Sequence, residues 1–119
     1  MQNFDITFYR KENNDCPVEE FLDSLDSKMG AKVLGYISLL AQNGPLLRAP
    51  YSKHLDDGIF ELRTQQGTDI TRVLYFFFAG KNIVLTNGFV KKTQKTPPGE
   101  IALAKKYRAD YLKRMEGTK

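Results

Sequence analysis

Two neighbouring segments constrain the fold more than any other feature of the chain. Val73-Leu74-Tyr75-Phe76-Phe77-Phe78 and Ile83-Val84-Leu85 are apolar at every position, and only Ala79-Gly80-Lys81-Asn82 separates them. A strand turns successive side chains to opposite faces, so a strand that is apolar on both parities needs cover on both faces. The pair predicts two central strands, residues 70–78 and 83–90, joined by a tight hairpin. A chain built on such a hairpin has to supply a packing layer on each side of the sheet.

The flanking sequence can supply those layers. Phe4, Ile6 and Phe8 alternate with Asp5, Thr7 and Tyr9, which predicts an amphipathic strand. Pro17 with Glu19 and Glu20, preceded by Asp15-Cys16, reads as a helix start, and Val18, Phe21, Leu22 and Leu25 give its apolar stripe. Ser27 is the expected cap of a second helix, whose stripe is Val33, Leu34, Ile37, Leu40 and Ala41, and Asn43-Gly44-Pro45 ends it. Residues 45–58, with two prolines and Asp56-Asp57-Gly58, read as a loop. Residues 59–64 read as the first strand of a three-strand meander. After Pro98-Gly99, the spacing of Ile101, Ala104, Tyr107, Tyr111, Leu112 and Met115 predicts a C-terminal helix. The expected fold is α+β, a small antiparallel-rich sheet with a helix hairpin and a terminal helix, in a single domain over residues 1–119.

With 41% hydrophobic and 27% charged residues the chain has the composition of a globular protein. No apolar stretch is long enough to span a bilayer, and residues 1–5 show no secretion signal, so a cytoplasmic location is expected with no membrane partner. The single cysteine, Cys16, excludes an internal disulfide and reads as structural. One histidine and one cysteine offer no ligand set, so neither a metal nor another cofactor is expected.

Charge is unevenly distributed. Residues 1–52 carry five Lys/Arg and seven Asp/Glu, whereas residues 53–119 carry thirteen and seven. A basic half favours a polyanionic partner, nucleic acid first, with a solvated basic face as the alternative. Within that half, Glu61 and Arg63 share one strand parity while Phe60 and Leu62 occupy the other. Arg72 interrupts an apolar strand, and Lys91 and Lys92 close the next. If these strands are neighbours, several cations gather around one carboxylate at a rim of the sheet.

The same residues carry a resemblance. Leu55 to Arg63 fits the pattern L-x-x-G-x-x-E-L-R; Arg72 to Tyr75 fits R-V-x-Y; Gly88 to Pro97 fits G-F-x-K-K-x-x-K-T-P. An alanine- and lysine-containing helix follows. The ordered series resembles the phage-derived, HigB-like branch of the RelE/ParE toxin superfamily. The resemblance implies a RelE-like fold and a toxin of a type II toxin–antitoxin system, with mRNA, the ribosome and a cognate helix-turn-helix, HigA-like antitoxin as partners. It implies an endoribonuclease with Glu61, Arg63, Arg72, Lys91 and Lys92 on its active face; Lys53, His54 and Lys95, in the basic stretches on either side, are expected to bind RNA.

RNA can be cut without a metal when its own 2′-OH attacks the adjacent phosphorus. That reaction needs a base, donors for the charge of the phosphorane and an acid for the 5′ oxygen. Arg63 and Arg72 suit the charge, since a guanidinium grips two phosphate oxygens. Lys91 or Lys92 can stabilise charge or protonate the leaving oxygen. Glu61 is the first candidate base and His54 the second; Glu61 can instead orient Arg63. Two other readings remain open: a non-enzymatic inhibitor of the ParE type that binds gyrase, and an RNA-binding protein without catalysis.

Overall fold

The doubly apolar hairpin lies inside a five-stranded sheet, as its pattern requires. The computed structural model describes residues 3–92 and 95–117; Thr93 and Gln94, within the KKTQKTP stretch, lie outside the described residues. In chain order the elements are β1 (Asp5–Phe8), α1 (Pro17–Asp23), α2 (Ser27–Asn43), β2 (Ser52–Asp56), β3 (Ile59–Gln66), β4 (Asp69–Phe78), β5 (Asn82–Val90) and α3 (Pro98–Glu116). The strand order is β1-β5-β4-β3-β2. Strands β2 to β5 form an antiparallel meander, and β1 adds to β5 in parallel, so the sheet is mixed. The fold class is α+β, as the sequence predicts.

Two local readings need correction. Residues 45–58 are not a loop throughout: a 3-10 turn at Gly44–Leu46 is followed by strand β2, so the meander has four strands, not three. Strand β2 is short and lies at the sheet edge, with only Ser52 fully buried. It is held by backbone pairing rather than by an alternating apolar face, which removes the usual signal. The second correction concerns the cap of α2. Asp26, not Ser27, accepts the Met29 N–H at 2.9 Å. Either oxygen can satisfy an orphan donor of the first turn, and the chain enters the helix one residue earlier than the Ser27 reading assumed.

Helices α1 and α2 cover one face of the sheet. Val18, Met29, Val33, Ile37 and Leu40 pack there on Leu62, Val73, Tyr75, Ile83 and Leu85. Gly88 belongs to this face by necessity of space: a Cβ on it would stand 2.4 Å from the Phe21 ring. Helix α3 covers the other face, where Ala104 and Tyr107 meet Ile59, Leu74, Phe76 and Val84. No helix among the described residues is long and apolar enough to cross a membrane.

One irregularity decides which side chains share the α3 face. The β4–β5 register shifts between Leu74 and Tyr75, whose partners are Asn87 and Leu85, so Thr86 is the extra residue of a bulge. Its hydroxyl donates to the Leu74 carbonyl at 3.2 Å. The extra residue reverses the parity of everything after it. Before the bulge, the odd-numbered Ile83 and Leu85 face α1 and α2; after it, Phe89 packs on the α3 side opposite Arg72. Lys91, whose N–H continues the pairing to the Ile70 carbonyl, follows Phe89 onto that face.

Candidate nucleic-acid interface

The α3 face is apolar at one end and charged at the other, and the boundary is the start of the helix. Asn87 donates from Nδ2 to the Glu100 carbonyl (3.3 Å) and to Glu100 Oε1 (3.0 Å), fixing the first turn of α3 on the sheet. Beyond that turn no helix among the described residues covers the strands, and Glu61, Arg63 and Arg72 lie at that end. Arg63 and Arg72 are direct cross-strand partners. Two cations so placed repel. Glu61, two residues along from Arg63, resolves the conflict: Arg63 Nε donates to its Oε2 at 2.9 Å, and Arg72 Nε lies 3.4 Å from the same oxygen.

The carboxylate is buried, with only 1% of its surface exposed. Its other oxygen, Oε1, accepts the Thr96 hydroxyl. Burial pushes the carboxyl pKa up, but Thr96, Arg63 and Arg72 outweigh it and hold the group below its ordinary value, hence ionised. Arg72 is also buried; Nη1 donates to the Thr71 carbonyl at 3.0 Å, while Nε is aligned with no acceptor among the described residues. Arg63 differs. Its Nε edge is anchored, its side chain is 29% exposed, and its Nη groups have no hydrogen-bond partner among the described residues. The result is a guanidinium fixed at one end and open at the other.

A cleft of about 220 Å³ opens over this network. Lys53 and His54 from β2, Glu61 and Arg63 from β3, Lys91 after β5, and Lys95 with Thr96 before α3 all contribute to its walls, with Leu55 and Ile101 as apolar floor. Neither Lys53 nor Lys91 makes an ion pair among the described residues. Burial and the nearby Arg72 charge lower the Lys91 pKa from its usual value, with Glu61 opposing. Two ion pairs, Lys105 with Asp56 and Arg108 with Asp57, tie α3 to the β2–β3 turn and keep β2 alongside the cleft.

The structure thus brings together seven of the eight residues singled out in the sequence. Arg72 lies beneath the cleft as a buried partner of Glu61 rather than in its wall, and Lys92 is exposed and lines no part of it. His54 Nε2 accepts the Gly58 N–H at 3.1 Å, and its ring stands edge-on to Phe60. That nitrogen is occupied in holding the β2–β3 turn, which gives His54 a structural task at the cleft rim. Cys16 is buried at the start of α1 and does not line the cleft. No group of three or more His, Cys, Asp or Glu side chains suited to a metal ion occurs among the described residues.

Sequence reasoning passed over Thr96 and Asn87. Thr96 stands in the K-T-P element of the quoted series, and its hydroxyl joins that element to the E-L-R element through Glu61. The two elements are 35 residues apart, so only the folded chain shows why they accompany one another.

Comparison with known families bears on this arrangement. The chain belongs to the family described as "Phage derived protein Gp49-like (DUF891)", which it matches over residues 20–109. That family is associated with RelE-like toxins of toxin–antitoxin systems. The matched span includes β2 to β5 and most of α3, hence every residue of the cleft. No curated protein matches the sequence.

Proposed function

We propose that the protein is the toxin of a type II toxin–antitoxin pair and acts as a metal-independent endoribonuclease on mRNA engaged with the ribosome, in the manner of the RelE/HigB-like toxins its sequence resembles. The observation that carries the reading is the Arg63 guanidinium, anchored through Nε to a buried carboxylate and open at Nη in a cleft ringed by Lys53, Lys91 and Lys95. A phosphodiester fits that fork, and the surrounding lysines draw a polyanion to it.

In this reading Glu61 is a positioning residue. A carboxylate with two hydrogen-bond donors, the Arg72 charge beside it and a depressed pKa is a poor proton acceptor, so of the two roles open to it, orientation of Arg63 is the better supported. When the 2′-OH gives its proton to a base that the ribosome or solvent brings to the cleft and attacks phosphorus, the P–O5′ bond breaks and negative charge grows on the non-bridging oxygens beside Arg63. Arg72 contributes its positive charge from below. Lys91 is the candidate for proton transfer, because its lowered pKa makes an ammonium more ready to give up a proton to the 5′ oxygen. The products are a 2′,3′-cyclic phosphate and a 5′-hydroxyl.

The engagement of both Glu61 and His54 Nε2 in internal hydrogen bonds leaves few groups for general-base work. That observation favours dependence on the ribosome, and it is also what a non-catalytic RNA-binding protein would present. One experiment separates the two. Primer extension on a message incubated with the purified protein, with and without active translation, is expected to show cuts only during translation. Efficient cutting of naked RNA would remove the ribosome from the proposal; no cuts in either condition, with RNA still bound, would support the non-catalytic reading. The expected antitoxin, a helix-turn-helix protein, should suppress the cuts when present.

A further inference from the structure

Beside the cleft lies a larger depression that the proposed reaction does not use. Strand β2 begins only at Ser52, so β3 runs past it with no strand on its outer side. Arg63 N–H still reaches the Tyr51 carbonyl at 2.7 Å. Gln65, turned the same way by the alternation of the strand, meets no neighbour strand there, and its carbonyl is taken by Lys32 Nζ. A groove of about 570 Å³ wraps round this open edge, with Lys32 and Tyr36 of α2 and Tyr51 on one side and Arg63 and Arg72 on the other. The Tyr36 and Tyr51 rings stand perpendicular with centroids 5.4 Å apart, and the Lys32 ammonium is 5.9 Å from the Tyr36 centroid. Tyr51 is 37% exposed, although it is a large aromatic residue in a short turn.

We propose that this groove is a nucleobase subsite, which takes a base adjoining the phosphate held at Arg63. The proposal rests on the reading of the cleft as an RNA site and adds where the base goes. Arg63 is the common wall of both cavities. A phosphate at its open Nη end therefore has a cation-lined cleft on one side and an aromatic-walled groove on the other. The backbone of an RNA strand suits the first. A base suits the second, because it needs a flat apolar surface for its π-face and fixed donors and acceptors for its edge. The Tyr51 ring supplies the surface. The Gln65 N–H, which faces the open edge with no strand opposite it among the described residues, and the Gln65 side-chain oxygen, whose amide nitrogen is held by the Gly67 carbonyl at 3.1 Å, supply the edge contacts. Lys32 and Arg72 keep the groove positive. An added peptide strand is the poorer occupant: the Gly67 turn ends the open edge almost at once, and Lys32 already blocks the Gln65 carbonyl.

The test uses a fluorescent 2′-O-methyl trinucleotide, which cannot be cleaved, and three versions of it that each lack one base. Binding to the intact protein is read by anisotropy. Loss of one particular base is expected to weaken binding about tenfold. Tyr51→Ala should bind the parent as weakly as the intact protein binds that abasic version, and Tyr51→Phe should behave as the intact protein does. Equal binding of the parent and all three abasic versions by the intact protein overturns the subsite, and the cleft stands if Arg63→Ala still weakens the parent. Failure of the intact protein to bind the parent at all overturns the RNA reading, and the subsite with it.

Discussion

Strands β3 and β4 carry two different chemistries on their two faces. On one face Leu62 and Val73 are paired across the strands and are fully enclosed by α1 and α2. On the other, one residue along, Arg63 and Arg72 are paired across the same strands around a buried Glu61. The backbone is common to both, so the difference comes from what lies above it. Helix α2 packs across β3, whereas α3 begins at Pro98, beside the network, and leaves the ends of the strands bare. A face that a helix covers becomes core. The end it leaves bare can hold charges, provided that the most buried of them are paired.

The contrast is testable residue by residue. Leu62→Ala should show the largest stability loss, about 2–5 kcal/mol, because it opens a cavity between the sheet and α2. Urea unfolding measures it, and the variant's remaining folded fraction should cut RNA as the parent does. Arg72→Ala falls between the two faces in character. Its guanidinium is buried, so its removal should cost about 1–3 kcal/mol of stability, with Glu61 still held by Arg63 and Thr96. Cleavage should fall as well, and Arg72→Lys should restore stability better than activity, since an ammonium lacks the planar fork. Full activity in Arg72→Ala would make Arg72 purely structural.

A third effect is smaller and depends on pH. The Glu61 pKa is depressed below its ordinary value of 4.5, so the unfolded chain takes up the proton first as pH falls. The stabilisation from the ionised carboxylate is complete above about pH 4.5 and is lost as pH drops through the folded value. Glu61→Gln cannot titrate. The stability difference between parent and variant, measured in urea, should therefore be constant near neutrality and shrink below pH 4.5. A difference that does not change with pH would mean that Glu61 is not held as a buried carboxylate.

The sequence made the covered face readable and the bare one only partly so. The run 73–78 and the run 83–85 are apolar on both parities, and no solvated element tolerates that. Glu61 and Arg63 were placed on one face by simple alternation. Lys91 was not, because alternation from Ile83 and Leu85 would send it to the α1/α2 side; the bulge at Thr86 reverses it, and no glycine or proline marks that bulge. Strand β2 was hidden because an edge strand needs no apolar stripe. Thr96 was hidden because its partner is distant in sequence. Arg72 was recognised as unusual, but its burial beneath Glu61 depends on where α3 begins.

The central claim is that the bare end of the α3 face is the reaction centre, with Arg63 as its open phosphate fork. The most direct test is the rate at which folded Arg63→Ala cuts a translated message, measured by primer extension beside the parent protein and with melting curves for both. Arg63 is partly exposed but donates to the buried Glu61, which keeps Thr96 and the nearby Arg72, so its loss should cost about 1–3 kcal/mol of stability and leave the variant folded. The rate should fall about a hundredfold or more, the usual consequence of removing one charge-stabilising donor. A folded variant that cuts at the parent's rate would contradict the claim.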